Sequence, residues 1–159
     1  MMSASGQERA VTQTSLLTRR FAICNTLGEQ SLDSTFLVFF RDGSSSLLQA
    51  EQELRRHKFE VRFDGTSLFA SKFQSQEFQI TLAQLPHVLL EAREIAQGTE
   101  YAHALGECGS RFEISIPDLD AALNEANSLM EVQGALQDAS SGYLFLPWNE
   151  QIIKPWNGS

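Results

Sequence analysis

Residues 111–147 hold the longest consistent pattern in the chain: RFEISI, then PDLDAALNEANSLMEVQGALQDAS, then SGYLFLP. Two apolar runs of strand length flank a segment long enough for a helix of about six turns. Seven apolar residues fall on one side of that helix, as a core-facing helix requires: Leu119, Ala122, Leu123, Ala126, Leu129, Met130 and Leu136. The stretch therefore predicts a strand, one long helix and a second strand.

One edge of the same predicted helix carries carboxylates and carboxamides, and we refer to these residues as the acidic row: Asp120, Asn124, Asn127, Glu131 and Asp138. The helix contains no Lys or Arg, so it lacks the usual ion pairs between successive turns. A solvated helix face would also produce such a row. We favour a surface that binds a basic protein partner.

Two tryptophans extend the predicted partner-binding surface. Trp148 and Trp156 both lie in a Pro-Trp-Asn triplet, and the two triplets are eight residues apart in the sequence. Tryptophan is enriched at the energetic centres of protein interfaces. The alternative is that both indoles pack over the end of the core.

The chain before this stretch predicts a strand, a helix and two further strands. The apolar run TFLVFF is typical of a strand covered on both faces, and Asp64-Gly65 is a strong hairpin signal. The predicted elements are a strand over 35–40, a helix over 45–57, and strands over 59–63 and 66–73. Residues 77–82 fit either a further strand or the lead into a helix that begins near Pro86.

These elements predict an α+β fold with a mixed, mainly antiparallel sheet and two to three helices packed on one face. Their order through Ile116 matches a ferredoxin-like β-α-β-β-α-β core, followed by an α-β extension. Residues 1–17 have little to bury and predict a flexible N-terminal arm. Residues 18–159 are then a single domain, beginning with an edge strand over 18–27.

The formal net charge of −8 is concentrated in the second half of the chain. Residues 1–76 contain nine Lys/Arg against eight Asp/Glu, whereas residues 77–159 contain three against twelve. Such a half repels phosphate backbones and attracts basic partners, so we expect no nucleic-acid partner. Acidity that only maintains solubility is the alternative.

The sequence gives expectations about the compartment as well. No apolar run approaches the roughly 18 residues that a membrane helix needs, so no membrane partner is expected. Cys24 and Cys108 are too far apart in sequence to suggest a disulfide framework or a zinc motif. The N-terminal residues show no signal peptide, which favours a cytoplasmic protein.

No catalytic, cofactor-binding or metal-binding residues are predicted. His57 lies among Arg55, Arg56 and Lys58, which is unfavourable for a metal cation, and His103 with Cys108 lacks a second ligand pair. There is neither a G-x-G-x-x-G motif nor a P-loop.

Two glutamines lie along the apolar side of the predicted long helix. Gln133 and Gln137 either bond to backbone at the sheet edge or line a pocket. A pocket formed by Gln133, His103 and Glu131 is the basis of an alternative hypothesis, an enzyme of unknown reaction.

About 40 residues, FEISIPDLD…LMEVQGALQ…GYLFLPWN, are similar to the small acidic immunity proteins that bacteria encode beside secreted toxins. The strand-helix-strand-strand unit that begins at Phe36 also resembles bacterial regulators that bind and inhibit ribonuclease E. Both resemblances imply a non-catalytic protein-binding inhibitor, and the first implies a toxin as its partner. A subunit that forms a homodimer through a sheet edge is a further alternative.

Overall fold

The computed structural model describes residues 35–72 and 75–155. The predicted N-terminal arm, the predicted strand over 18–27 and Trp156 lie outside these residues. The domain boundary at residue 18 therefore stays a prediction.

Seven strands within the described residues form one sheet in the order β2-β3-β4-β5-β1-β6-β7, and every neighbouring pair is antiparallel. The strands are β1 Thr35–Phe40, β2 Glu60–Phe63, β3 Leu68–Ser71, β4 Phe78–Ala83, β5 Ser110–Ser115, β6 Tyr143–Leu146 and β7 Gln151–Ile153. Strand β1 pairs with both β5 and β6, so the chain over residues 111–147 crosses over β1, and β6 runs parallel to β5.

The α+β class is confirmed, but the described strands form only antiparallel pairs where a mixed sheet was expected. Residues 78–83 form a strand, β4, so the order from β1 to β5 is β-α-β-β-β-α-α-β, with one strand more than the ferredoxin-like β-α-β-β-α-β. The sequence left that segment undecided because QITLA fits both a strand and the lead into a helix.

Five helices accompany the sheet in the described residues: α1 Leu47–Arg56, α2 Pro86–Ala96, α3 Ala102–Leu105, α4 Leu119–Asn124 and α5 Ala126–Ser140. Helix α1 packs against α5. Both of them contribute, with α4, to the apolar core on one face of the sheet, as predicted.

Alternation along β1 shows that the sheet is covered on both faces. Phe36, Val38 and Phe40 belong to the core beneath α1 and α5. Leu37 and Phe39 point to the opposite face, since successive strand residues alternate, and they are buried as well. The prediction from the continuous TFLVFF run is thus confirmed.

Helix α2 packs on that opposite face, through an ion pair. Arg111 of β5 donates from Nη1 to Glu91 of α2 at 2.6 Å and from Nε to Glu113 at 2.8 Å. Its guanidinium also lies 5.6 Å from the ring centroid of Phe39. Burial alone would lower the pKa of Arg111, but Glu113 and Glu91 outweigh it and hold that pKa above its usual value.

The single long helix predicted over 117–140 is wrong: it is broken at Glu125, whose φ of −114° and ψ of 66° are not helical. Asn124 and Asn127 flank the break, and asparagine is a poor helix former because its side chain competes for backbone hydrogen bonds. The break separates α4 from α5. Leu123, which the continuous pattern placed in the core, is 45% exposed, and Met130 is 64% exposed.

The β2–β3 hairpin forms where Asp64-Gly65 predicted it. The Asp64 carboxylate accepts hydrogen bonds from the N–H groups of Thr66 and Ser67 at 2.9 and 2.8 Å. Gly65 has φ of 105°, which favours glycine. The Asp64 N–H also donates to the Ser67 carbonyl. Because inward and outward backbone groups alternate along an antiparallel strand, the Val61 carbonyl, three residues earlier, points away from β3. Arg55 donates a hydrogen bond to this carbonyl at 2.8 Å.

No helix among the described residues is both long enough and apolar enough to cross a bilayer.

Candidate functional site

The C-terminus of α1 fixes a histidine beside α5. His57 is the C-cap of α1, and Lys58 follows it with a left-handed φ of 73°. The N–H groups of Lys58 and Phe59 donate to the carbonyls of Arg55 and Leu54, which is a Schellman motif. The motif ends the helix at a defined residue and leaves the His57 imidazole facing α5.

Two carboxylates of α5 face the two nitrogens of this imidazole. Nδ1 of His57 lies 3.8 Å from Oε2 of Glu131, and Nε2 lies 3.6 Å from Oδ2 of Asp138. The His57 side chain is 27% exposed, so it is within reach of solvent. Glu131 and Asp138 are seven residues apart, two helical turns, and therefore lie on the same side of α5.

A lysine from the sheet completes the group. Lys72, just after β3, lies 2.5 Å from Oε1 of Glu131, and its ammonium is 4.9 Å from the ring centroid of Phe59. Part of the acidic row is therefore neutralised within the chain. The absence of cations from the helix gave no sign of this, because Lys72 is 59 positions earlier in the sequence.

Glu53 adds a third carboxylate, one turn before His57 on α1. The ligand atoms of Glu53, His57 and Asp138 all lie within 4.8 Å of one another. We refer to these five residues as the His57 cluster: Glu53, His57, Lys72, Glu131 and Asp138.

The basic neighbours of His57 in sequence do not surround its imidazole. Arg55 is held by the Glu51 carboxylate at 2.9 Å and by the Val61 carbonyl. Arg56 is largely exposed and pairs with Glu53 at 3.6 Å. The imidazole therefore faces carboxylates of α5, which its neighbours in sequence did not indicate, although Arg56 pairs with Glu53 of the same cluster.

The acidic row is divided between two helices. Asp120 and Asn124 are exposed on α4, whereas Asn127, Glu131 and Asp138 lie on α5. Exposed apolar residues that were expected in the core lie among them. We refer to the following set as the α4–α5 surface: Asp120, Leu123, Asn124, Asn127, Met130 and Asp138.

The other predicted site residues lie elsewhere. Trp148 is partly buried and packs against the apolar core, which agrees with the structural alternative for that indole. His103 on α3 faces Glu107 at 3.5 Å, whereas Glu131 belongs to the His57 cluster. His103 and Glu131, two of the three residues in the enzyme hypothesis, thus have different neighbours.

The glutamines are buried, and one of them has a structural role. Gln137 donates from Nε2 to the carbonyls of Gly142 and Ile153, both at 3.1 Å. It thereby ties α5 to the β6–β7 hairpin, which agrees with the backbone-bonding alternative. Gln133 is also buried on α5.

A cavity of about 320 Å³ lies at the end of β1 that leads to α1. Its lining includes Phe40, Arg41, Ser44, Cys108, Ser140 and Tyr143. Burial raises the pKa of the Cys108 thiol to about 11, so the nucleophilic thiolate is scarce at neutral pH. The cavity therefore does not supply an activated cysteine.

Comparison of the chain with protein-family models, with curated proteins and with solved structures finds no match.

Proposed function

We propose that this protein is a non-catalytic inhibitor that binds a basic protein through the α4–α5 surface, in the manner of a bacterial immunity protein that neutralises its cognate toxin. One observation carries the proposal. Between Arg111 and Lys154 the chain contains seven Asp/Glu and no Lys, Arg or His. A surface with a single sign of charge steers an oppositely charged partner towards it and repels phosphate backbones.

Exposed apolar side chains within the acidic surface support a protein rather than a small ion as its ligand. Met130 and Leu123 are 64% and 45% exposed, and Asp120 and Asp138 are exposed on the same two helices. Protein interfaces combine apolar anchors with a charged rim, and methionine is enriched among those anchors. The proposal includes the cytoplasmic location expected from the sequence.

The charge of Asp120 is more useful to a partner than that of Glu131 or Asp138. Lys72 already compensates Glu131, and Asp138 lies 3.6 Å from Nε2 of His57. The sharper test therefore reverses Asp120 and Glu125, which are both exposed and lie outside the His57 cluster.

The experiment begins with recovery of the partner by co-purification with the tagged chain from its own cells. The purified partner is then titrated with the wild type, with Asp120→Lys/Glu125→Lys and with a control, Glu60→Lys/Glu100→Lys. Both control positions are exposed and lie outside the α4–α5 surface. Each double variant moves the net charge from −8 to −4, because each replacement adds two.

We expect the first variant to bind at least about ten-fold more weakly, with a slower and less salt-dependent association, and the control to change little. Met130→Ala should also weaken binding, whereas Leu90→Ala, a comparably exposed position on α2, should not. Expression of the partner alone should harm cells that co-expression of this chain protects.

Three results would reject the proposal: recovery of no basic protein, equal binding by the two double variants, or a partner that the chain leaves fully active. Circular dichroism of each variant separates a lost contact from a lost fold. A ribonuclease as partner would favour the regulator class that part of the chain also resembles.

A further inference from the structure

The His57 cluster brings an imidazole together with carboxylates from two helices, and the ligand atoms of Glu53, His57 and Asp138 lie within 4.8 Å of one another. Both imidazole nitrogens face carboxylate oxygens, at 3.6 and 3.8 Å. A protonated imidazole has two N–H groups and would face both carboxylates as an ion pair, whereas a neutral imidazole has one N–H and one lone pair. A cation between that lone pair and the facing oxygen would bind to both, and a metal titration separates the two cases.

We propose that Glu53, His57 and Asp138 bind one divalent first-row transition-metal ion. Imidazole nitrogen and carboxylate oxygen bind Zn²⁺ at about 2.0–2.2 Å, so two such atoms on a tetrahedral ion lie roughly 3.4 Å apart. Nε2 of His57 and Oδ2 of Asp138 are already 3.6 Å apart. Glu53, whose ligand atom lies within 4.8 Å of both, would exchange its pairing with Arg56 at 3.6 Å for the same ion.

The charge of the three ligands suits a divalent ion. Two carboxylates and a neutral imidazole carry −2, which one divalent ion neutralises. The mixed nitrogen and oxygen set suits Zn²⁺ or Mn²⁺ and disfavours Mg²⁺, which prefers oxygen ligands and retains its water. The remaining coordination positions fall to water.

Glu131 and Lys72 lie where residues that orient a metal-binding histidine are expected. A histidine that binds a metal usually donates its other N–H to a carboxylate, which fixes the tautomer and the ring orientation. Nδ1 of His57 faces Glu131, and Lys72 holds Glu131 in place at 2.5 Å. The site thus combines residues from α1, α5 and the end of β3.

The test uses the full chain, freed of metal with a chelator, and titrates it with Zn²⁺ by calorimetry and with Co²⁺ by visible absorption. We expect one saturable equivalent, cobalt bands without sulfur-to-metal charge transfer, and a rise in melting temperature with added Zn²⁺. His57→Ala and Asp138→Asn should each weaken binding at least about ten-fold, and Glu131→Gln about 10–100-fold as an outer-shell change.

The chain offers a matched control. His103 and Glu107 form another exposed histidine–carboxylate pair four residues apart, but neither belongs to the His57 cluster. His103→Ala should therefore leave the affinity unchanged. The proposal is overturned if His57→Ala and Asp138→Asn bind Zn²⁺ like the wild type, if His103→Ala weakens binding as much as they do, or if Mg²⁺ binds as tightly as Zn²⁺. Circular dichroism checks the fold of each variant, and Asp138→Asn is the least disruptive of them.

Discussion

Arg111 of β5 and Glu91 of α2 form an ion pair at 2.6 Å in which both side chains are only 1% exposed. The buried guanidinium binds Glu91 and Glu113 together, so loss of Glu91 would remove one of these two carboxylates. An undercompensated buried charge costs several kcal/mol. The pair therefore fixes where α2 lies on its face of the sheet.

Removal of one member of this pair should be far more damaging than removal of a surface charge. We expect Glu91→Ala to lower the free energy of unfolding by about 3–5 kcal/mol. Glu77→Ala breaks the exposed Arg62–Glu77 pair and should cost less than about 1 kcal/mol. Urea unfolding followed by circular dichroism measures both, and similar costs would contradict the buried pair.

Two leucines within residues 111–147 should respond differently to truncation. Leu129 is 4% exposed in the core beneath α5, so Leu129→Ala should cost about 2–5 kcal/mol. Leu123 is 45% exposed, so Leu123→Ala should cost less than about 1 kcal/mol. Chemical denaturation of the two variants is the measurement. If Leu123→Ala were the more harmful, the helix would be continuous through Glu125 after all.

Two glycines near the end of the same stretch should show opposite effects. A methyl group at Gly134 would meet nothing within 4 Å, so Gly134→Ala should stabilise α5 by about 0.5–1 kcal/mol. A methyl group at Gly142 would lie 2.6 Å from the Phe39 carbonyl oxygen, so Gly142→Ala should cost about 1–3 kcal/mol. Thermal melts of both variants test this, and a neutral Gly142→Ala would show that β6 can move away from β1.

Cys108 should be unreactive in the folded protein. With Cys24→Ser as background, a thiol reagent should label Cys108 quickly only after unfolding. Burial raises its pKa from 9.0 to about 11, so its contribution to stability is complete below pH 9 and is lost as the pH rises towards 11. Labelling of the native protein across this range gives the result, and fast labelling at neutral pH would be inconsistent with a buried thiol.

Local patterns predicted most of the elements because their causes are local. Asp64-Gly65 specifies its hairpin within four residues, and the continuous TFLVFF run requires cover on both faces wherever it lies. The break at Glu125 was missed because the apolar spacing continues across it and carries no signal of the non-helical backbone at that residue. Leu123 and Met130 were therefore assigned to the core although they are exposed.

The candidate site was less predictable because its members are distant in sequence. The acidic row identified Glu131 and Asp138, but not the ion pair that Lys72 contributes from the sheet. His57 was judged by its neighbours in sequence, Arg55 and Arg56, and not by those in space. Only the antiparallel packing of α1 against α5, which follows from the strand order, brings the histidine to the carboxylates.

The hydrogen bond from Arg55 to the Val61 carbonyl affects how the protein can associate with itself. Strand β2 is the last strand on its side of the sheet in residues 35–72 and 75–155, and the outward backbone groups of such a strand can pair with a strand of another molecule. The guanidinium occupies one of these acceptors, and the Glu51 carboxylate holds it there. A strand of another molecule would have to displace the Arg55 guanidinium from both the Val61 carbonyl and the Glu51 carboxylate. This contact therefore opposes the edge-to-edge strand pairing that produces fibres and unwanted dimers.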